Sequence, residues 1–462
     1  MFKKDTIAAI ATGLSESGIS IIRISGEDAI DVADKLIGTG SGKKFLKDQE
    51  SHTIHYGFVR DAQGNTVDEV MVSLFKAPRS YTTEDTVEIN CHGGLLVTKK
   101  ILDLVCKSGA RLAEPGEFTK RAFLNGRIDL TKAEAVMDVI QAKNEMALRT
   151  GVRQLQGKLA EKIKKIREAL LYEIAYIESA LDDPEHISLD GYTERLNQKL
   201  EEILKEIQNL IASSENGKRM KEGIQTVIIG KPNAGKSSLL NILTGRDRAI
   251  VTEIAGTTRD ILEESINLNG ITLNIADTAG IRKTDDIVEK IGVEKAKEYA
   301  SMADLIIYVV DVSIPLDEND EEILKIIRYQ KSVVLLNKSD LKCFIEKEDL
   351  QKKIGDDVPV ISISARENRG IDQLEEKIKE MFFNGEIQLN EEIIVTNMRH
   401  KEALLEAEES LKMVQDSIFQ NMPEDFYSID LLNAYETLGR ITGERIEDDL
   451  AEEIFSRFCM GK

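Results

Sequence analysis

Residues 224–241 read IQTVIIGKPNAGKSSLLN, an apolar run of strand type followed at once by G-x-x-x-x-G-K-[ST] and then by helical spacing. A phosphate loop needs that order. Gly230 and Gly235 let the backbone turn its N–H groups onto phosphate oxygens, Lys236 supplies a cation, and Ser237 can ligate Mg²⁺. The loop alone does not separate ATP from GTP. On its C-terminal side, strands such as ADLIIYVVDVS and KSVVLLNKSD alternate with helices or loops to about residue 383. Such alternation specifies a parallel, doubly wound sheet.

Three more motifs stand at strand ends, in order. In DTAG (Asp277, Thr278, Ala279, Gly280), the aspartate can hold the magnesium shell and the glycine amide can meet the γ-phosphate. In NKSD, Asn337 and Lys338 precede Asp340, whose carboxylate can accept both N1–H and the exocyclic amine of guanine. Adenine leaves those acceptors unpaired, so the discrimination is strong. Ser364, Ala365 and Arg366 then complete a base pocket through their backbone. The reading is a GTP-binding domain of the Ras-like class. Between phosphate loop and DTAG lies VTEIAGTTRD, where Thr257 and Thr258 are candidates for the threonine that closes on Mg²⁺. Ile281 stands where Ras-type enzymes place a water-orienting glutamine, so either hydrolysis is slow or another group positions the water.

The flanks read differently. Residues 1–118 are small and mixed: a strand at 18–26, a helix at 27–38, a hairpin over 52–76 turning at Ala62-Gln63-Gly64-Asn65, a strand at 85–92 and a helix through Val105. From 119 the texture is helical, with segments at 155–183 and 192–213, and near Gly217 it gives way to the α/β alternation. Helical texture returns over 384–462, in 400–420 and 443–458. The expected architecture is multidomain: an N-terminal α+β domain (1–118), an all-α domain in two parts (119–216 and 384–462), and the parallel α/β domain (217–383) inserted between them with its termini close together.

The chain has 462 residues and a formal net charge of -21. So acidic a surface repels phosphate backbones, and tight unaided binding to nucleic acid is not expected. No apolar run reaches the ~20 residues of a membrane span, and the N-terminal residues are too polar for a signal peptide, so the expected location is cytoplasmic, with no membrane partner. Four cysteines without a C-x-x-C pair argue for a reducing compartment. Cys459 sits in the terminal RFCMGK. A disulfide is disfavoured by compartment, a zinc site by the lack of clustered ligands, and a prenylation box by Gly461 and Lys462. A thiol carried on a tail into an active site is the reading left.

With PGEFTKRAFLNGRIDL upstream, the motifs GKPNAGKSSLLN, AGTTRD and DTAGIRKTDDIVEKIG and the terminal FCMGK together resemble the MnmE (TrmE) family of tRNA-modification GTPases over the whole chain. The resemblance implies a folate-binding-like N-terminal domain that holds a homodimer, and GTPase domains that meet when GTP and K⁺ bind. It implies GTP contacts by Gly230, Asn233, Ala234, Gly235, Lys236, Ser237 and Ser238, and by Thr252, Glu253, Ile254, Ala255, Gly256, Thr257 and Thr258, beside the DTAG, NKSD and SAR residues. It puts K⁺ on Asn233, Thr252, Ile254 and Thr257, Mg²⁺ on Ser237 and Thr258, and a water-orienting carboxylate at Glu289. A monovalent cation beside the phosphates would neutralise charge as an arginine finger does.

The same resemblance assigns 5-formyl-tetrahydrofolate or a related folate to Arg23, Glu88, Arg127 and Lys462. The implied reaction installs a carboxymethylaminomethyl or aminomethyl group at C5 of the wobble uridine U34, jointly with the flavoprotein MnmG. That partner carries FAD and much of the tRNA, in a heterotetramer. Cys459 is then a nucleophile or proton-transfer group. The competing expectation is a GTP-switched ribosome-assembly factor without covalent RNA chemistry, which would leave the N-terminal domain and the tail thiol idle.

Overall fold

The computed structural model describes residues 5–38, 46–246, 264–268, 270–276, 303–383, 393–444, 448–459 and 461. By contact density the chain falls into two units. One gathers 1–137, 154–167 and 438–462, and the other gathers 138–153 and 168–437.

The first unit is built on a sheet of seven strands: β1 (Ile7–Ile10), β2 (Ser17–Ser25), β3 (Ile37–Gly38), β4 (Thr53–Arg60), β5 (Thr66–Phe75), β6 (Thr86–Gly93) and β7 (Arg111–Leu112), in the order β3-β4-β5-β6-β2-β1-β7. All pairings are antiparallel except β1 with β7. Alternation in the strands decides the faces. Val70, Val72, Leu74, Val87, Ile89, Ile22 and Ile24 point inward and bury against helices Ala29–Asp34 and Leu95–Lys107. The opposite face brings Ser73, Glu88 and Arg23 into one cross-strand row. The hairpin turns where expected, with Asp61 Oδ1 accepting the N–H groups of Gln63 and Asn65. The helix expected at 27–38 is shorter, since Ile37 leaves it to pair with Val59 as β3.

The second unit holds a six-stranded sheet: β8 (Ile224–Ile229), β9 (Glu264–Leu268), β10 (Ile271–Ile275), β11 (Leu305–Asp311), β12 (Ser332–Asn337) and β13 (Val360–Ser362), ordered β13-β12-β11-β8-β10-β9. Every pair is parallel except β9 with β10. The strands are apolar on both faces, as a sheet covered on both sides demands. β8 has β11 on one side and β10 on the other, so the strand order reverses at its C-terminal end, where the phosphate loop emerges.

Helix Tyr192–Glu222 runs nine residues past the expected end at 213 and passes through Gly217. A Cβ at Gly217 would meet the carbonyl oxygen of Val395 at 2.0 Å, and Val395 N–H donates to Ser213 Oγ. Gly217 therefore marks a close crossing where the returning chain passes the outgoing helix. Helix Met398–Phe419 then runs against Tyr192–Glu222, tied by Lys401 to Glu215 and Gln208 to Glu408. Within the stretch expected as helix at 443–458 stands helix Asp448–Ser456, and a further helix, Glu424–Thr442, precedes it outside the segments named from the sequence.

Candidate nucleotide site and N-terminal cleft

The nucleotide loop is built from β8 into helix Lys236–Arg246. Asn233 and Gly235 take positive φ, 57° and 100°. At Gly235 only glycine serves, because a Cβ would lie 2.1 Å from Asn337 Nδ2. That space lets Asn337, buried at the end of β12, donate to the Ala234 carbonyl at 2.8 Å and accept Ala365 N–H at 3.0 Å. One amide thus joins three of the sequence motifs. Asp340 accepts from Ser364 Oγ at 2.6 Å, and this hydrogen bond is the first cause that holds its carboxyl below the usual range. The carboxylate is therefore an ionised acceptor, as guanine recognition requires. Lys338, at φ 64°, pairs with Asp311 at 2.5 Å.

Lys236 Nζ donates to the carbonyls of Gly230 and Lys231, both at 2.7 Å, and burial lowers its pKa. Among the described residues this ammonium meets two neutral carbonyls and no carboxylate, and a β- or γ-phosphate would supply a countercharge. Ser237, next in the first turn of the helix that Lys236 opens, suits a Mg²⁺ ligand, and Ser238 follows, both exposed. Arg366 is exposed, while Ser364 and Ala365 are buried. Thr252, Glu253, Ile254, Ala255, Gly256, Thr257, Thr258, Asp277, Thr278, Ala279, Gly280 and Glu289 lie outside the described residues, and Asn233 is the one assigned K⁺ ligand inside them.

The N-terminal unit carries a cleft of about 580 Å³. Glu88 and Arg127 line it, with His52, Phe75, Arg79 and Tyr81. Arg23 stands beside it: its Nε donates to Glu88 Oε1 at 2.8 Å, and its Nη1 donates to the carbonyl of Gly461 at 3.1 Å. The guanidinium carbons of Arg23 and Arg127 lie 5.6 and 5.1 Å from the Tyr81 ring centroid. A carboxylate, two guanidiniums and aromatic walls suit a flat heteroaromatic ligand with an anionic tail. Three of the four assigned folate residues thus fall together, and Lys462 lies outside the described residues. Sequence reading missed Tyr81 and His52. Neither belongs to a motif, and only the fold brings them to the cleft.

The tail is seated by its neighbours. Phe458 is buried with Phe455 and Phe123, and Gly461, at φ 87°, lies where a Cβ would be 2.3 Å from the Ile10 carbonyl oxygen. Between them the Cys459 carbonyl accepts Gly116 N–H at 3.4 Å, and the thiol is exposed. The same unit holds an ion network in which Arg121 pairs with Asp5, Glu84 and Glu117, and Arg111 with Asp5 and Glu117.

A phosphate loop at the switch point of a Ras-like sheet, cross-tied to an N-K-x-D base loop, defines the class: a P-loop GTP-binding protein carrying a second cleft in its N-terminal unit. Residues 130–459 match the family model described as the MnmE helical domain, and residues 6–127 match that of the GTP-binding protein TrmE N-terminus. Proteins named tRNA modification GTPase MnmE from Lachnoclostridium phytofermentans and Clostridioides difficile are 58% and 49% identical, each comparison covering 100% of both chains. The chain belongs to the MnmE family.

Proposed function

We propose that this protein is the GTP-hydrolysing component of a tRNA-modifying system. With a flavoprotein partner of the MnmG type, it installs a carboxymethylaminomethyl or aminomethyl group at C5 of the wobble uridine, using a folate one-carbon unit. The observation that carries this reading is the tail docked on the N-terminal sheet: Arg23 joins Glu88 of the cleft to the Gly461 carbonyl, two residues from the Cys459 thiol. A ribosome-assembly switch has no use for that connection.

Glu88 and the two guanidiniums orient the folate, which supplies the one-carbon unit. Cys459 serves on the tail as nucleophile or proton-transfer group. In the G domain, Lys236 meets the phosphates and Asp340 the guanine, while Ser237 and Thr258 hold Mg²⁺. Asn233, Thr252, Ile254 and Thr257 hold K⁺ when two G domains meet, and Glu289 orients the water. The homodimer forms through the N-terminal domain. Exposed Ile54, Tyr56 and Met71 on β4 and β5, on the Glu88 face of the sheet, support this reading as an apolar surface for a second copy. The acidic surface favours a division of labour in which the partner holds most of the tRNA. The four-part domain division, with the G domain inserted at 217–383, belongs to the same proposal.

Nucleoside mass spectrometry of bulk tRNA from cells with and without the protein tests the reading. Loss of the C5-modified wobble uridines is expected. Their persistence together with unassembled ribosomal subunits would favour the assembly-factor alternative.

A further inference from the structure

Lys231 occupies the first variable position of the phosphate-loop pattern, which assigns it no chemistry. Its ammonium nevertheless meets Asp320 Oδ2 at 2.5 Å and Asp317 Oδ2 at 2.8 Å. Asp320 is 3% exposed, and its other oxygen accepts from the fully buried Tyr308 hydroxyl at 2.6 Å. The two aspartates also close a capping box at the start of helix Glu318–Ile327: Asp317 N–H donates to Asp320 Oδ2, and Asp320 N–H donates to Asp317 Oδ1. A carboxylate this deep needs full compensation, and Lys231 is the cation that meets it. On its backbone side, the Lys231 carbonyl is one of the two acceptors that hold Lys236 Nζ. One residue thus connects the phosphate-binding lysine to a buried acceptor rooted in β11 and the next helix.

We infer that Lys231 is a positioning residue for the phosphate site: with Asp320 and Tyr308 it pins the first turn of the loop before nucleotide arrives. A loop ordered in advance spares the ligand its ordering cost, so the contribution appears in binding and is equal for GDP and GTP. It leaves the chemical step alone, because ground state and transition state share it. The inference rests on the guanine-nucleotide reading of the domain, which fails separately if the unmodified protein binds neither GDP nor GTP.

The test measures Kd and dissociation rate for fluorescent GDP and a non-hydrolysable GTP analogue, with steady-state kcat and KM, in the full-length protein. Lys231→Met should raise both Kd values about tenfold with kcat changed less than about twofold, and Lys231→Arg should recover most of the affinity. Asp320→Asn should give a similar loss, and the double variant Lys231→Met/Asp320→Asn should be no worse than either single one. An unchanged Kd in Lys231→Met, losses that multiply in the double variant, or a failure of Lys231→Arg to recover affinity would each overturn the inference. Should Lys231→Met not fold, Tyr308→Phe decides: loosened binding of both nucleotides supports the anchor, and unchanged binding removes it.

Discussion

In the proposed nucleotide site, base choice rests on a single carboxylate, that of Asp340. Ser364 holds it ionised and aimed, and guanine offers two donors to it. Asp340→Asn exchanges one acceptor for a donor. It should weaken GTP by about 10- to 100-fold, the worth of a hydrogen bond to a charged group, and improve binding of the xanthine nucleotide, whose carbonyl accepts there. Competition titrations with GTP and XTP check both signs. Gly461 is the corresponding residue in the tail. Its positive φ and its contact with Ile10 leave no room for a Cβ, so Gly461→Ala should cost the seat about 1–3 kcal/mol. Hydrogen exchange should speed up at the Gly116 amide, which donates to the tail, and leave the β8–β12 amides unchanged. Glu117 carries a pH signature. Burial alone would raise its carboxyl, but hydrogen bonds from Arg111, the Glu114 N–H and Arg121 together hold it below the usual range. A carboxyl depressed in the folded state contributes stability above its unfolded pKa and loses it as pH falls through the folded one. Melting of Glu117→Gln should therefore lie below wild type near neutrality and converge with it in acid, below the ordinary carboxylate range.

Among the elements, helix Tyr192–Glu222 teaches the most about what a glycine signals. An alanine in a helix is ordinarily worth up to about 1 kcal/mol over glycine. At Gly217 the sign reverses, because the new Cβ meets the Val395 carbonyl, and overpacking of this kind costs about 1–3 kcal/mol. A lower denaturant midpoint for Gly217→Ala would bear this out, and a gain would show that the crossing has slack. The helix continues through the glycine since the tertiary neighbour needs the space, which local propensity does not encode. The same limit explains Ile37: helical spacing extends to Gly38, but the edge of β4 offers a partner and takes the residue as β3.

At the scale of the whole molecule, the proposed function needs two copies of the chain and a cation. GTP hydrolysis should then be faster in K⁺ than in Na⁺ by on the order of tenfold or more, and the specific rate should rise with protein concentration where G domains pair. Phosphate-release assays in matched salts test this, and equal rates would remove the cation from the mechanism.

The G domain was legible in the chain because its chemistry is local. Gly230, Gly235, Lys236, Asn337 and Asp340 stand at strand ends in fixed order, and alternating apolar strands and helices dictate the parallel sheet that aligns them. Arg23, Glu88 and Arg127 were assigned by resemblance, since each alone is an ordinary charge on a strand or helix end. Only tertiary structure assembled the rest. The cleft joins residues from 52 to 127 through cross-strand register, the tail comes to rest against β1 from the far end of the chain, and Lys231 finds its acceptor on a helix nearly ninety residues away. Such contacts depend on which elements the core brings together, and local sequence carries no record of a partner that distant.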